Sequence, residues 1–312
     1  MECRLAKKRK YLIAGTGGVG GSIAGFLALD GKDVTCIARG QHLTALRQQG
    51  LKLRSTLKGE QTIPIKSCTA EAYKDKADVI FVCVKAYSLE SIAGLIRNAA
   101  HENTLVIPVL NVFGTGEKLA QLTGLPSVLS GCIYIVGFVS GPGEVTQAGK
   151  VFRLLFGARK GQAIMEAELK NIQAELQHSG IKTVLSDDIN RDTFIKWSFI
   201  SAMACTGAYY DIPMGPLQKQ GKERDTFTGL SVESTEIGRK LGLPIPANQV
   251  ELHLKVLDAL TPDSTASMQK DMAKGNQSEI RDLLFAMIDL AKKNGVETPV
   301  YDKVAGKFTD FR

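Results

Sequence analysis

The sequence predicts an α/β protein in two parts, an N-terminal doubly wound parallel sheet followed by an all-helical C-terminal domain. Three observations point there. Between residues 11 and 109, apolar strand-like runs alternate with helical stretches. A glycine turn joins the first run to the first helix. Beyond Ser186 the apolar spacing is that of helices almost throughout.

The first apolar run, residues 11–14, leads straight into Gly15-Thr16-Gly17-Gly18-Val19-Gly20, which reads G-x-G-x-x-G. A strand that ends in such a turn and opens a helix binds phosphate. Gly15 permits the tight turn, Gly17 lets a pyrophosphate approach the backbone, and Gly20 lets the helix lie close to the strand. The free N–H groups at the helix start face the anion, aided by the helix dipole. The motif alone is common, but here residues 22–30 read as a short helix and 34–38 as a second strand. Together they make a β-α-β unit of dinucleotide-binding, Rossmann type.

Arg39 closes the second strand, followed by Gly40 and Gln41, with no acid at the strand end. An acidic residue there bonds the ribose 2′-hydroxyl of NAD, whereas an arginine suits the 2′-phosphate of NADP(H). The alternative is an exposed arginine at a strand tip. Residues 78–84 form a continuous apolar run, the mark of a buried parallel strand, and end in Lys85. A helix over 89–99 and a strand over 104–109 follow, the latter ending in Leu110-Asn111. Ligands of such sheets sit beyond the carboxyl ends of the strands, so Arg39, Lys85 and Asn111 are expected to converge there.

Residues 128–136, 145–147 and 151–156 are β-like, with Gly141-Pro142-Gly143 as a turn. A helix over 166–178 and a run at 181–185 complete this stretch, expected to be the outer half of the same sheet. Asp187 or Asp188 can cap a long helix running past Lys196 towards Ala208. Helices follow over 223–241, 248–260 and 278–294, the last closed by Asn294-Gly295. The expected domains are 1–187, binding the cofactor, and 188–312, serving substrate binding and dimerisation.

Composition narrows the function. The chain has 312 residues, 44% hydrophobic and 23% charged, ordinary for a soluble globular protein. Of its net charge of +7, several positive charges fall in Arg4, Lys7, Lys8, Arg9 and Lys10, expected to be a solvated N-terminal extension. The rest suits an anionic cofactor and substrate. Aromatic and basic residues are not interleaved as on a nucleic-acid surface, so nucleic acid is not an expected partner. No stretch reaches the roughly 18 apolar residues of a membrane span, and no signal peptide is recognisable. Six scattered cysteines without C-x-x-C, two of them in strands, suit reduced thiols in the cytoplasm. Four histidines lack metal-ligand spacing, so no metal is expected.

A nicotinamide enzyme reducing a ketone needs an acid for the new hydroxyl and donors that polarise the carbonyl. Lys196 lies among Ile195, Trp197, Phe199, Ile200 and Met203 on an almost wholly apolar helix. It is either snorkelling or placed as the acid, and desolvation would then tune it for proton transfer. Glu279 flanks an apolar stripe, where it either serves the site or complements the helix dipole. Ser267 is a site hydroxyl or part of a helix start.

Taken together, these positions give the chain a resemblance to the ketopantoate reductase (2-dehydropantoate 2-reductase) family. It runs through residues 15–20, Ala38-Arg39-Gly40, Val84-Lys85-Ala86, Leu110-Asn111, 141–145, 194–197, 267–271, Ser278-Glu279-Ile280 and 295–299. The resemblance implies NADPH-dependent reduction of ketopantoate to pantoate in pantothenate biosynthesis. Lys196 then resembles the general acid, and Glu279 the carboxylate that orients the lysine or substrate. Ser267 resembles the residue that binds the substrate carboxylate. Asn111 resembles the asparagine near nicotinamide and substrate, and Arg39 and Lys85 the cofactor-phosphate contacts. A homodimer is the candidate assembly, although the residues themselves do not specify an oligomeric state.

Two departures bear on the substrate. Val112 follows Asn111 where the family usually has glycine, and Ile200 and Ala204 replace asparagines four and eight residues beyond the lysine. Each lost hydrogen bond would be worth about 1 kcal/mol or more. The alternatives are therefore a reductase of a less polar 2-oxo acid and a non-enzymatic NADP(H)-binding sensor; retention of Lys196 and Glu279 argues against the sensor.

Overall fold

A parallel strand covered on both faces is apolar along its buried length; β6 (Val79–Val82) and β7 (Leu105–Pro108) are so throughout, while β1 (Lys10–Ala14) and β2 (Asp33–Ile37) open on a charged residue and turn apolar as they enter the core. With the short β5 (Lys66–Cys68) they form one all-parallel sheet in the order β5-β2-β1-β6-β7. The structure, a computed structural model, describes residues 8–312. They fall into two units, one comprising the chain to Leu110 and Gly114–Ile189, the other Asn111–Phe113 and Asn190–Arg312. The chain passes into the second unit after Ile189, and Asn111, Val112 and Phe113 group with that unit as well.

Within the first unit, α1 (Gly18–Leu29), α2 (Gly40–Gln49), α3 (Leu89–Ala99), α4 (Thr115–Thr123) and α5 (Glu166–His178) join the strands. α3 and α5 match the ranges read from the sequence; α1 begins four residues earlier, inside the glycine motif.

The expectation of one extended sheet is corrected. β3 (Leu51–Ser55), β4 (Gly59–Ile63), β8 (Ser130–Gly141), β9 (Glu144–Gly157) and β10 (Lys182–Leu185) make a second sheet. The chain enters it beside the first, where Val128 bridges Val106. The runs at 145–147 and 151–156 are a single strand, β9, paired with β8 across the expected turn at 141–143. The other edge of β9 pairs with β3 through 144–147 and with β10 through 153–156.

The basic N-terminal stretch also differs from expectation. Arg4 and Lys7 lie outside the described residues, but Arg9 is bonded to Glu175 at 3.0 Å and to Glu168, and Lys10 opens β1. Burial alone would raise the Glu175 carboxyl, but Tyr11 donating at 2.7 Å and the Arg9 guanidinium hold it below its usual range. Arg9 thus fastens the start of β1 to α5 and is not solvated, whereas Lys10 makes an exposed pair with Asp75 at 2.6 Å.

The second unit is helical: α6 (Ile189–Tyr210), α7 (Met214–Leu217), α8 (Lys222–Lys240), α9 (Gln249–Asp258), α10 (Ser267–Ala273), α11 (Ala286–Lys293) and α12 (Pro299–Ala305). A π-turn, Arg281–Phe285, precedes α11. The helix expected over 278–294 is therefore wider in its first turn than an α-helix. From α8, the buried Glu233 carboxylate caps α12 by accepting the N–H groups of Val300 and Tyr301 at 2.7 and 3.0 Å. No helix among the described residues is long and apolar enough to cross a membrane.

His253 on α9 is 2% exposed, with Nδ1 2.7 Å from the Ser231 hydroxyl. Burial pushes its pKa down to about 4, so the folded protein holds it neutral. In the unfolded chain it titrates near 6.5. Its contribution to stability is thus complete above pH 6.5 and is lost as pH falls towards 4. Urea unfolding should show the wild type losing about 2 kcal/mol more than His253→Gln between pH 7.5 and 5. Equal losses would show that His253 carries no such penalty.

Candidate active site

The glycine loop follows from packing on both sides of α1. Gly15 has φ +102°, and a Cβ there would meet Val84 Cγ1 at 2.9 Å. A Cβ on Gly20 would lie 2.0 Å from the Gly15 carbonyl, so helix and turn touch directly. The opposite side of α1 meets the second sheet. A Cβ on Gly18 would lie 2.2 Å from the Gly137 carbonyl of β8, and one on Gly21 2.6 Å from Val145 of β9. A Cβ on Gly17 would meet nothing within 4 Å. Of the five glycines here, Gly17 alone, the position assigned to pyrophosphate approach, has room for a Cβ, which fits a phosphate group.

Thr16 is tied down within the loop: its N–H and its hydroxyl both donate to the Ile37 carbonyl, at 3.1 and 2.9 Å. The side chain of Val19 packs on the core, leaving its backbone towards the helix start. No acidic residue occupies the first turn of α1, so its positive end is left for an anion.

Arg39 leaves the end of β2 as the residue before α2, exposed, its guanidinium without a hydrogen bond or ion pair among the described residues. Lys85 follows β6, half-buried at the start of a tight turn over 86–88. β2, β1 and β6 are neighbours, so Arg39, the glycine loop and Lys85 line consecutive strand ends. Sequence reasoning passed over His42, one turn along α2. Its Nδ1 accepts the Gly143 N–H at 3.0 Å, binding α2 to the β8–β9 turn, and burial lowers its pKa.

In the second unit, Lys196 is 6% exposed on α6 and Glu279 is 3% exposed just before the π-turn. The elements carrying them are joined beside these residues. Trp197 Nε1 donates to the Asp282 carbonyl at 3.0 Å, and the Ser201 hydroxyl donates to the Leu283 carbonyl at 2.5 Å. Phe113 meets Phe194 edge-on at 5.2 Å and stacks on Trp197 at 6.0 Å, fastening the Asn111–Phe113 segment to the same turn of α6. Asn111 is half-buried, with its amide unbonded among the described residues.

Ser267 is the exposed first residue of α10. Gln269 holds that start: its Oε1 accepts the Ala266 N–H at 2.9 Å, and its Nε2 donates to the Ile212 carbonyl at 2.9 Å. A Cβ on Gly207 of α6 would stand 2.6 Å from Gln269, so the glycine makes room for this anchor. Ile200 is half-buried, but Ala204 is 1% exposed inside the helical core. Only Ile200 of the two remains available as a wall towards a ligand. Among the described residues no group of three His, Cys, Asp or Glu could hold a metal.

Chemically, the first unit offers a phosphate cradle flanked by two basic side chains. The second offers a buried lysine, a buried carboxylate and the polar side chains Asn111 and Ser267, a set suited to an anionic carbonyl compound and a proton transfer.

Known proteins resemble this chain over nearly its whole length. Residues 11–161 match the family described as ketopantoate reductase PanE/ApbA, and residues 188–309 match its C-terminal part. The chain is 29% identical to the uncharacterized oxidoreductase YkpB of Bacillus subtilis (strain 168), over 95% of this chain and 96% of that one. It is 26% identical to the 2-dehydropantoate 2-reductase of Aquifex aeolicus, over 93% of each. Among solved structures, 2-dehydropantoate 2-reductase from Geobacter metallireducens GS-15 superposes with a TM-score of 0.88 at 22% identity, covering 97% of this chain and 100% of that one. A D-mandelate dehydrogenase bound to NADH and anilino(oxo)acetate has the same fold, with a TM-score of 0.86 at 22% identity over 95% and 96% of the two chains. The chain belongs to the ketopantoate reductase family of oxidoreductases.

Proposed function

We propose that this protein reduces a 2-oxo acid with NADPH, ketopantoate to pantoate being the leading reaction. The observation that carries this reading is the burial of Lys196 and Glu279 on two elements bonded to each other beside them. A buried charge is costly unless it has a task or a partner, and both residues lie next to the bonds that join their elements.

NADPH, when bound, would supply the hydride for the keto carbon. The glycine loop would hold its pyrophosphate, with Arg39 on the 2′-phosphate and Lys85 on the phosphates. Lys196 would give a proton to the keto oxygen as it becomes the hydroxyl, and Glu279 would orient the lysine. Ser267 would bind the substrate carboxylate, and Asn111 would hold the carbonyl near the nicotinamide. A second reading, a less polar 2-oxo acid, is favoured by Ile200 standing one turn beyond Lys196. The D-mandelate dehydrogenase of the same fold is consistent with such a substrate range.

Because Arg39 stands exposed and unpaired where an acid would select NAD, NADPH should bind at least about tenfold more tightly than NADH, on the order of 1.4 kcal/mol. Calorimetric titration with both cofactors checks this; equal affinities remove Arg39 from the 2′-phosphate.

Lys196→Ala should lower turnover by about 10²–10⁴-fold with NADPH affinity nearly unchanged. Turnover close to wild type would reduce Lys196 to a snorkelling helix residue.

An apolar Ile200 leaves the hydroxyl of ketopantoate without its expected partner, and discrimination comes from groups built to meet it. A less polar branched 2-oxo acid should therefore come within about tenfold of ketopantoate in kcat/KM. A preference for ketopantoate above about a hundredfold would mean that other residues supply that bond.

A further inference from the structure

We propose that Trp197 and Ser201 are positioning residues that hold the π-turn, and with it Glu279, in fixed register against the lysine-bearing turn of α6. The inference rests on the reading of Lys196 and Glu279 as the acid and its carboxylate partner.

Trp197 and Ser201 are one helical turn apart and so share a face of α6. Their donors reach two consecutive carbonyls, those of Asp282 at 3.0 Å and Leu283 at 2.5 Å. The turn that receives them is widened: the Ala286 N–H bonds the Arg281 carbonyl, five residues back. Such turns recur at functional sites because they change which carbonyls face a neighbour. Glu279 is coupled to the same turn through its own carbonyl, which accepts the Leu283 N–H at 2.9 Å.

The direction of the bonds is settled by counting hydrogens. Ser201 has one, and it goes to the Leu283 carbonyl. The Tyr301 hydroxyl, 2.8 Å from Ser201 Oγ, must then be the donor between them. Tyr301 is itself held through its backbone N–H on Glu233 at 3.0 Å. The two bonds from α6 thus fix the turn both along and around the helix, and the second is backed by α8 and α12. Apolar packing could bury these surfaces equally well, but it would not choose one register; a fully bonded polar network does.

Trp197→Phe keeps the ring and removes the N–H, while Ser201→Ala removes the hydroxyl. Each variant is measured as the full chain in three ways: steady-state kinetics with NADPH and the preferred 2-oxo acid, calorimetric NADPH affinity, and amide hydrogen exchange. Turnover should fall about tenfold or more, because small misplacements of a reacting group are costly, while the substrate KM and NADPH Kd stay within about threefold. Amides of residues 279–286 should exchange at least about tenfold faster, with those of β1, β6 and β7 unchanged. Turnover within about twofold of wild type overturns the proposal. So does unchanged exchange at 279–286, or exchange that accelerates uniformly across the second unit. If the wild type reduces no 2-oxo acid, the proposed function fails, and exchange at 279–286 alone then decides whether the two side chains hold the turn.

Discussion

The first unit depends on a helix with a sheet on each side. α1 is buried without interruption from Gly20 to Leu27, so no face is left for solvent. On one side it meets β1 across Gly20, and on the other it meets β8 and β9 across Gly18 and Gly21. Ile23, Phe26 and Leu27 fill the core on either side, each worth roughly 1.5–3 kcal/mol of burial. The glycine turn therefore has little freedom to rearrange. Its position is set by two sheets, not by the loop, and a ligand meets N–H groups already in place.

The second unit solves a different problem, keeping polar groups inside a helical core. Lys196, Glu233, His253, Ser201 and Glu279 are all nine-tenths or more buried. Glu233 is settled by capping α12, and Ser201 by a carbonyl on one side and a tyrosine hydroxyl on the other. His253 is held neutral. The groups assigned to chemistry thus sit beside groups whose work is architectural, and burial by itself does not separate the two kinds. Position does: Lys196 and Glu279 lie next to the bonds that join their elements, whereas Glu233 caps a helix end.

Much of this was legible in the sequence because parallel strands and long helices leave strong patterns. The runs at 78–84 and 104–109 could be little else, and the helices over 89–99 and 166–178 keep their bounds. β3, β4 and β5 were missed because they are short and largely polar, with β4 exposed along most of its length. The second sheet was mistaken for an extension of the first because its entry, Val128, does bridge Val106, and local pattern carries no information about which strand comes next. In the glycine motif, Gly15, Gly17 and Gly20 had visible roles. Gly18 and Gly21 did not, since the strands they admit are more than a hundred residues away in sequence. Arg9 looked solvated for the same reason, its partners being Glu168 and Glu175. Among candidate site residues, Lys196 and Glu279 were marked by charge in apolar surroundings. Trp197 and Ser201 carried no such mark, because an indole and a hydroxyl pass as ordinary core.

Trp197 is the chain's single tryptophan. It is 3% exposed, bonded through its indole N–H to a backbone carbonyl and stacked on Phe113. Indole emission depends on that bond and on the polarity around the ring, so the protein carries one built-in optical probe. It reports neither on bulk unfolding alone nor on an average over many sites. Its colour and quantum yield read the turn of α6 next to Lys196, and any event that shifts the Asn111–Phe113 segment or the π-turn writes itself directly into the spectrum of the unlabelled protein.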